Sequence, residues 1–313
     1  MEPIVSRRHP INFYLMLILT GLFTTALATD LLTQFFNKES HEKVNRDMLP
    51  FISLFFYGLT IYSFIRYYKN SPTIRLDDNG ISIGKKVFDW KRLQAARLTG
   101  KVRFPYLISF EMEGATLFFD SDEIVYLFDD VYQNIGSIKL VIQRKLKQDL
   151  GLPEDEPSKL FPISCANTFF ETFKNNPWWS FRGLSVWLFA LIMVGMFFHN
   201  KGPHPFEMAS AAVGIFTIWL ILHAWMMHYF KVSGTWLVVR NHIWFWKKRT
   251  VALSDILEVV FEVHGKQANS MRIIYKNFES HRYQAGTLHT RTWRALKQRL
   301  QEEHIFVRDE CID

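Results

Sequence analysis

Four apolar stretches, 11–32, 49–65, 181–198 and 206–230, set the main constraint on how this chain folds. Each approaches the ~20 apolar residues that a helix needs to cross a bilayer. Aromatic residues gather at their ends: Tyr67 and Tyr68, Trp178 and Trp179, Tyr229 and Phe230. Such rings prefer the headgroup layer, where one side is apolar and the other wet. Only 49% of the 313 residues are hydrophobic, because two long polar regions separate and follow the apolar stretches. That content, with 16% aromatic residues, excludes a disordered tail and a collagen-like or disulfide-built scaffold. Cys165 and Cys311 lie far apart without CxxC spacing, which reads as two free thiols in a reducing compartment.

Basic residues orient the stretches. Arg7 and Arg8 precede the first, Arg66 and Lys69 follow the second, Lys174 and Arg182 border the third, and Lys231 follows the fourth. The opposite loops carry Lys38, Lys43, Arg46 and Lys201, and Glu39, Glu42 and Asp47 offset the first three. The bias places both termini and both polar regions in the cytosol. Arg7, Arg8, the apolar run 11–23 and Ala26-Leu27-Ala28 also fit a cleavable signal peptide. Apolar residues continue past Ala28 to Leu32, and the stretch has a counterpart later in the chain, so the expectation is a retained span.

That counterpart belongs to an internal duplication. Tyr67-Tyr68-Lys69-Asn70-Ser71-Pro72-Thr73 matches Tyr229-Phe230-Lys231-Val232-Ser233-Gly234-Thr235 at a constant offset. The same offset pairs Asn79 with Asn241, Ile81 with Ile243, and Lys85-Lys86 with Lys247-Lys248; a one-residue gap then pairs Leu93 with Ile256. Each half therefore reads as two spans followed by a polar domain. An even number of spans separates the copies, so they are parallel repeats, unlike inverted-repeat transporters.

The first polar domain alternates short β-rich segments at 73–76, 81–83, 87–90, 93–98, 107–112, 115–120 and 124–127. Asp77-Asp78-Asn79-Gly80, Gly84, Gly100 and Glu113-Gly114 punctuate them as turns. Val131, Ile135, Ile138, Ile142 and Leu146 then form one apolar helix stripe, with Lys139, Arg144, Lys145 and Lys147 around it. The second domain repeats the order with segments 235–239, 243–246, 250–253, 257–263, 271–275 and 280–285 and a helix over 289–304, with Trp293, Leu296 and Leu300 facing in. The fold class expected is α+β: four transmembrane helices in two hairpins, each followed by a cytosolic β-barrel or sandwich with a C-terminal helix. The boundaries are hairpin 1–70, domain 71–151, linker 152–180, hairpin 181–231, domain 232–307 and tail 308–313. The linker is acidic at Glu154, Asp155 and Glu156. It then becomes amphipathic around Phe161, Phe169, Phe170, Phe173 and Lys174, which predicts a short helix in the plane of the interface.

This order resembles the pleckstrin-homology-like domains of bacterial membrane proteins, in which paired spans precede such a domain. The resemblance rests on Thr73-Ile74-Arg75-Leu76, Asn79-Gly80-Ile81, Val87-Phe88-Asp89-Trp90-Lys91-Arg92-Leu93 and the terminal helix. It covers nearly the whole chain and is architectural. It implies a bacterial inner-membrane protein whose domains bind protein or lipid rather than catalyse. The eukaryotic inositide motif places basic residues around the first hairpin; Asp77-Asp78-Asn79 stands there in this chain, which argues against inositide binding.

The first strand of each domain starts near the membrane and runs away from it, so the turn after the second strand should return to the lipid surface. Those turns carry Lys85 and Lys86 in one copy, and Lys247, Lys248 and Arg249 behind Trp244, Phe245 and Trp246 in the other. Each basic residue beside an anionic leaflet contributes about 1 kcal/mol. Anionic headgroups are therefore one expected contact; topology signalling or solvation is the plainer alternative. Ser210 and Gly214 offer small residues for close helix packing. Asp30, His223 and His228 are polar groups within the apolar stretches; the plainer reading is a boundary or helix-satisfied role, and the functional one a proton or metal role. Gly80 to Lys86 falls short of a phosphate loop, His41-Glu42 lacks the second histidine of a zinc-protease helix, and no GxSxG or GxGxxG occurs. No cofactor, metal or catalytic set is expected. The basic residues track the membrane rather than forming one stripe, which excludes nucleic acid. The leading expectation is a non-catalytic membrane protein that binds a protein partner or its own copy, as scaffold, regulator or stress or toxin-protection factor. Lipid handling is the alternative, and a transporter or intramembrane enzyme the third.

Overall fold

The helix hairpins are insertions within sheets. The computed structural model describes residues 2–37, 46–106, 109–120, 122–149, 169–199, 205–263 and 268–311. The chain divides into two units, Met1–Asp155 and Glu156–Asp313. In the first, strand β1 (Ile4–Val5) precedes a helical turn, Pro10–Leu15, that runs into α1 (Met16–Phe36). Helix α2 (Leu49–Lys69) returns, and β2 (Ile74–Leu76), β3 (Gly80–Ile83) and β4 (Lys86–Asp89) follow. The sheet order is β1-β2-β3-β4, with Ile4 opposite Leu76. The chain thus leaves one strand, makes the hairpin and re-enters as the adjacent strand. Both feet of the hairpin are held one strand spacing apart.

A second sheet completes this unit. Its strands are β5 (Leu93–Arg97), β6 (Lys101–Phe104), β7 (Phe110–Phe119) and β8 (Ile124–Phe128), and β7 pairs with the other three. Helix α3 (Ile135–Asp149) closes the open side. The predicted turn at Glu113-Gly114 is instead the middle of β7, and β6 was not anticipated. Gly114 is there for close approach: a Cβ would lie 2.2 Å from the Leu127 carbonyl oxygen. The α3 stripe is buried as expected, with Ile138 and Ile142 fully enclosed. Lys139 differs. It is fully buried and pairs with Asp129 at 2.6 Å, because that carboxylate supplies its counter-charge inside the domain.

The second unit repeats the plan. Strand β9 (Glu171–Phe173) precedes α4 (Phe181–His199) and α5 (Pro205–Trp225). Strands β10 (His228–Val232), β11 (Trp236–Asn241) and β12 (Lys248–Ala252) follow, ordered β12-β11-β10-β9. The other sheet holds β13 (Ile256–Glu262), β14 (Ser270–Tyr275), β15 (Ser280–Gln284) and, after α6 (Thr290–Glu302), β16 (Val307–Asp309). Three expectations are corrected here. The fourth apolar stretch ends as a helix at Trp225, and its last residues start β10 because they pair antiparallel with β11, His228, Tyr229 and Phe230 lying opposite Asn241, Arg240 and Val239. The described part of the linker contains strand β9 rather than a helix, since Phe173 is buried in the domain core and its neighbours pair with β10. The tail supplies β16, parallel to β13. Residues 152–168 of the linker lie outside the described residues.

The duplication is legible in hydrogen bonds. Asp77 N–H donates to Gly80 O, Trp90 to Asn79, Phe119 to Glu123 and Asp120 to Arg92; Ser233 donates to Trp236, Leu253 to Thr235, Tyr275 to Glu279 and Lys276 to Asp255. Each copy has a 3₁₀ turn, Trp90–Arg92 or Leu253–Asp255, followed by a bulge at Leu93/Ala95 or Ile256/Glu258. From the 3₁₀ turn onward the register agrees with the pairing of Leu93 and Ile256. Before it, the register slips. Tyr67 and Lys69 close helix α2, whereas Tyr229 and Lys231 lie in β10, so the two matching heptads are not equivalent positions. Phe230 is fully buried in the core of its unit and Tyr67 packs against the core of the first, so the two runs match in composition without sharing a position.

Candidate functional site

The basic turns lie at the feet of the hairpins. Gly84 and Lys85 form the two-residue turn between β3 and β4, with Gly84 at φ +61°, a conformation open to glycine. Gly84 N–H donates to Thr73 O at 2.8 Å, four residues beyond the end of α2. Lys85, Lys86 and Val87 are exposed around the turn, and Lys86 pairs with Glu123 of the β7–β8 turn.

The second copy has a longer turn, and Asn241 builds it. This asparagine is buried; its Oδ1 accepts from Ile243 N–H at 2.9 Å and Trp244 N–H at 3.0 Å. Its Nδ2 donates to Ala224 O at 2.7 Å, satisfying a carbonyl in the last turn of α5. His242 N–H donates to Met227 O, just past that helix. The segment expected as strand 243–246 is therefore a turn held against the foot of α5, because the asparagine side chain takes the place of a ladder partner. At its tip Phe245 and Trp246 are 72% and 65% exposed. Lys247 Nζ lies 4.4 Å over the Trp244 ring. Lys248 opens β12, and Arg249 turns over the Tyr275 ring at 5.8 Å, onto the sheet. Exposed Trp178, Trp179 and Phe181 lead into α4 of the same unit.

The polar residues of the apolar helices are satisfied locally. His223 Nδ1 faces Trp219 O of its own helix at 3.1 Å and its ring packs 4.4 Å from the Trp219 ring. His228, expected within the same span, sits in β10 with Nδ1 2.9 Å from Gln284 O; the strand, not the helix, claims its backbone. Asp30 accepts from Gln34 Nε2 at 2.8 Å, one turn on. A Cβ at Gly214 would meet nothing within 4 Å among the described residues, and Ser210 is exposed. Close packing occurs at Gly21, where a Cβ would lie 2.7 Å from the Phe64 ring. Hydroxyls fill the rest of the α1–α2 seam: Thr24 and Thr60 at 2.7 Å, Thr29 and Tyr57 at 2.8 Å, and Ser53 Oγ to Ala28 O at 2.6 Å. Gly21, Thr24 and Ala28 at helical spacing were the available signal for this seam.

Helices 10–36 and 49–69 are long and apolar enough to cross a bilayer, and their apolar windows are only 18% and 17% buried. The described parts of the second hairpin contain shorter apolar helices, Phe181–Met196 and Ala212–Trp225. Among the described residues, no three His, Cys, Asp or Glu side chains gather in a way that could hold a metal ion. No protein-family model and no curated protein matches the chain.

Proposed function

We propose that this chain is an integral protein of the bacterial cytoplasmic membrane, with four transmembrane helices in two hairpins and a pleckstrin-homology-like domain built around the feet of each. Both termini and both domains face the cytosol. The observation that carries the membrane reading is the inverted polarity of the first hairpin. Its hydroxyls and glycine meet between the helices, while Phe23, Phe51, Leu54 and Phe55 point outward. A helix of a soluble core would bury those large side chains, and a lipid-facing one exposes them. Extraction of membranes at alkaline pH tests this: the chain stays in the pellet, and release into the supernatant overturns the reading.

The domains act by binding and not by catalysis. A protein partner is the first reading, supported by two paired-sheet domains displayed on a membrane anchor. Contact with anionic lipid is the second, favoured by Phe245, Trp246 and Lys247 projecting beside the foot of α5. Purification in mild detergent separates them. A stoichiometric second protein supports the first; bound lipid without protein supports the second.

A further inference from the structure

The two feet of the second hairpin enclose a cleft that neither turn accounts for. It is open, about 420 Å³ in volume, and lined by Lys174, Asn175, Asn176, Pro177 and His242. Its chemistry is that of an anion site. Among the described residues no carboxylate lines it, and none lies within ion-pair distance of Lys174. Asn175 Oδ1 accepts from Thr292 Oγ1 at 2.7 Å, and Asn176 Oδ1 accepts from Trp178 N–H at 3.0 Å. Each carboxamide therefore keeps its NH2 to donate. The His242 ring is fixed by its backbone bond to Met227 and by the Tyr229 ring 4.6 Å away. Its Nε2 is buried with no hydrogen-bond partner among the described residues. A buried polar nitrogen without a partner is costly, and an acceptor in the cleft would remove that cost.

We propose that this cleft holds the phosphate of an anionic phospholipid headgroup. Lys174 supplies the charge, and the Asn175, Asn176 and His242 nitrogens supply directed donors. Position selects a lipid over a soluble anion. Pro177 leads directly to exposed Trp178 and Trp179 at the start of α4, and His242 is bonded to the end of α5 and opens the turn that ends in Phe245 and Trp246. Aromatic residues of this kind mark headgroup depth. Acyl chains would then lie along exposed Leu184 and Leu188 of α4. The assignment rests on the membrane reading above.

The test uses the full chain in mild detergent and native mass spectrometry, with phosphatidylglycerol, phosphatidylcholine or inorganic phosphate added. The wild-type chain should retain phosphatidylglycerol in preference to phosphatidylcholine. Lys174→Gln should weaken that retention about tenfold, as expected for losing one charge-assisted hydrogen bond. Lys174 is exposed, so its loss leaves the fold intact; His242→Gln, checked by melting, should weaken retention in the same direction. Lys276→Gln, on the exposed turn between β14 and β15 and away from the cleft lining, should leave it unchanged. Equal retention by wild type and Lys174→Gln overturns the site, and so does equal binding of the two lipids. Saturable binding of inorganic phosphate that displaces the lipid overturns the lipid assignment in favour of a soluble anion. If the chain leaves the membrane at alkaline pH, the membrane reading fails; if it stays and Lys174→Gln keeps its lipid, only the cleft assignment fails.

Discussion

Single buried polar residues hold the parts of each unit together, and they give the sharpest tests. Lys139 is enclosed with Asp129 as its counter-ion. Asp129→Ala leaves a buried charge uncompensated and should destabilise the first unit by about 3–5 kcal/mol, seen as a lower melting temperature in detergent. Lys139→Met with Asp129→Leu should recover most of that loss. Lys139 shows why the sequence misled here: a lysine on a helix reads as a solvated face until its partner is located, and Asp129 was not part of any pattern. Asn241 is a similar case. The repeat singled it out by pairing it with Asn79, but its role comes from a bond to Ala224 in a helix that the sequence extended through the following strand. His242 adds a pH-dependent term. Burial first, then the charges of Lys174 and His228, lower its pKa to about 4. The unfolded chain takes up this proton near pH 6.5, so between about pH 6.5 and 4 the unfolded state binds more protons. The neutral ring's contribution is therefore complete above pH 6.5 and is lost as pH falls towards 4. A histidine-resolved NMR titration of the lipid-free chain should place the midpoint of His242 near 4, and a phosphate bound in the cleft should raise it; a lipid-free midpoint at 6.5 contradicts the packing.

At the scale of elements, the two hairpins use different means of association. The α1–α2 seam depends on close approach at Gly21 and on hydroxyl pairs, whereas α4 and α5 meet through stacked Phe189 and Trp219 rings, 4.9 Å apart. Gly21→Ala should strain the seam against Phe64 by about 1–3 kcal/mol, and Phe64→Leu should relieve it. Gly214→Ala should be neutral, since its Cβ would enter open space. Equal melting shifts from the two glycine variants would contradict this difference. Apolar length made the helices legible, but which glycine packs within a hairpin depends on the facing helix, which the sequence pattern does not supply. Strands β1 and β9 were missed for a related reason. Ile4-Val5 and Glu171–Phe173 are too short for a periodic signal and become strands only because β2 and β10 are there to pair with them.

For the whole molecule, insertion of each hairpin between paired strands ties topology to folding. Both feet of a hairpin belong to one sheet, so under the proposed membrane reading both emerge on the same side of the bilayer, in keeping with the expectation drawn from the basic residues at 7, 8, 66 and 69. The same construction opposes cleavage after Ala28. That cut would remove β1, the Ser6 N–H bond to Ile74 O at 2.7 Å, and Arg8, whose guanidinium donates to Ser71 O and lies 4.7 Å over the Tyr68 ring. Cys311 offers a direct measurement of the side. It follows β16 and is partly exposed, so a membrane-impermeant thiol reagent can reach it from the compartment that the domains occupy. In a Cys165→Ser chain, the reagent should label inverted vesicles and leave intact spheroplasts unlabelled until they are permeabilised. Labelling of intact spheroplasts would place the domains outside and reverse the orientation drawn from the basic residues. It would leave the strand-inserted hairpins untouched, because their pairing fixes only that the feet share a side.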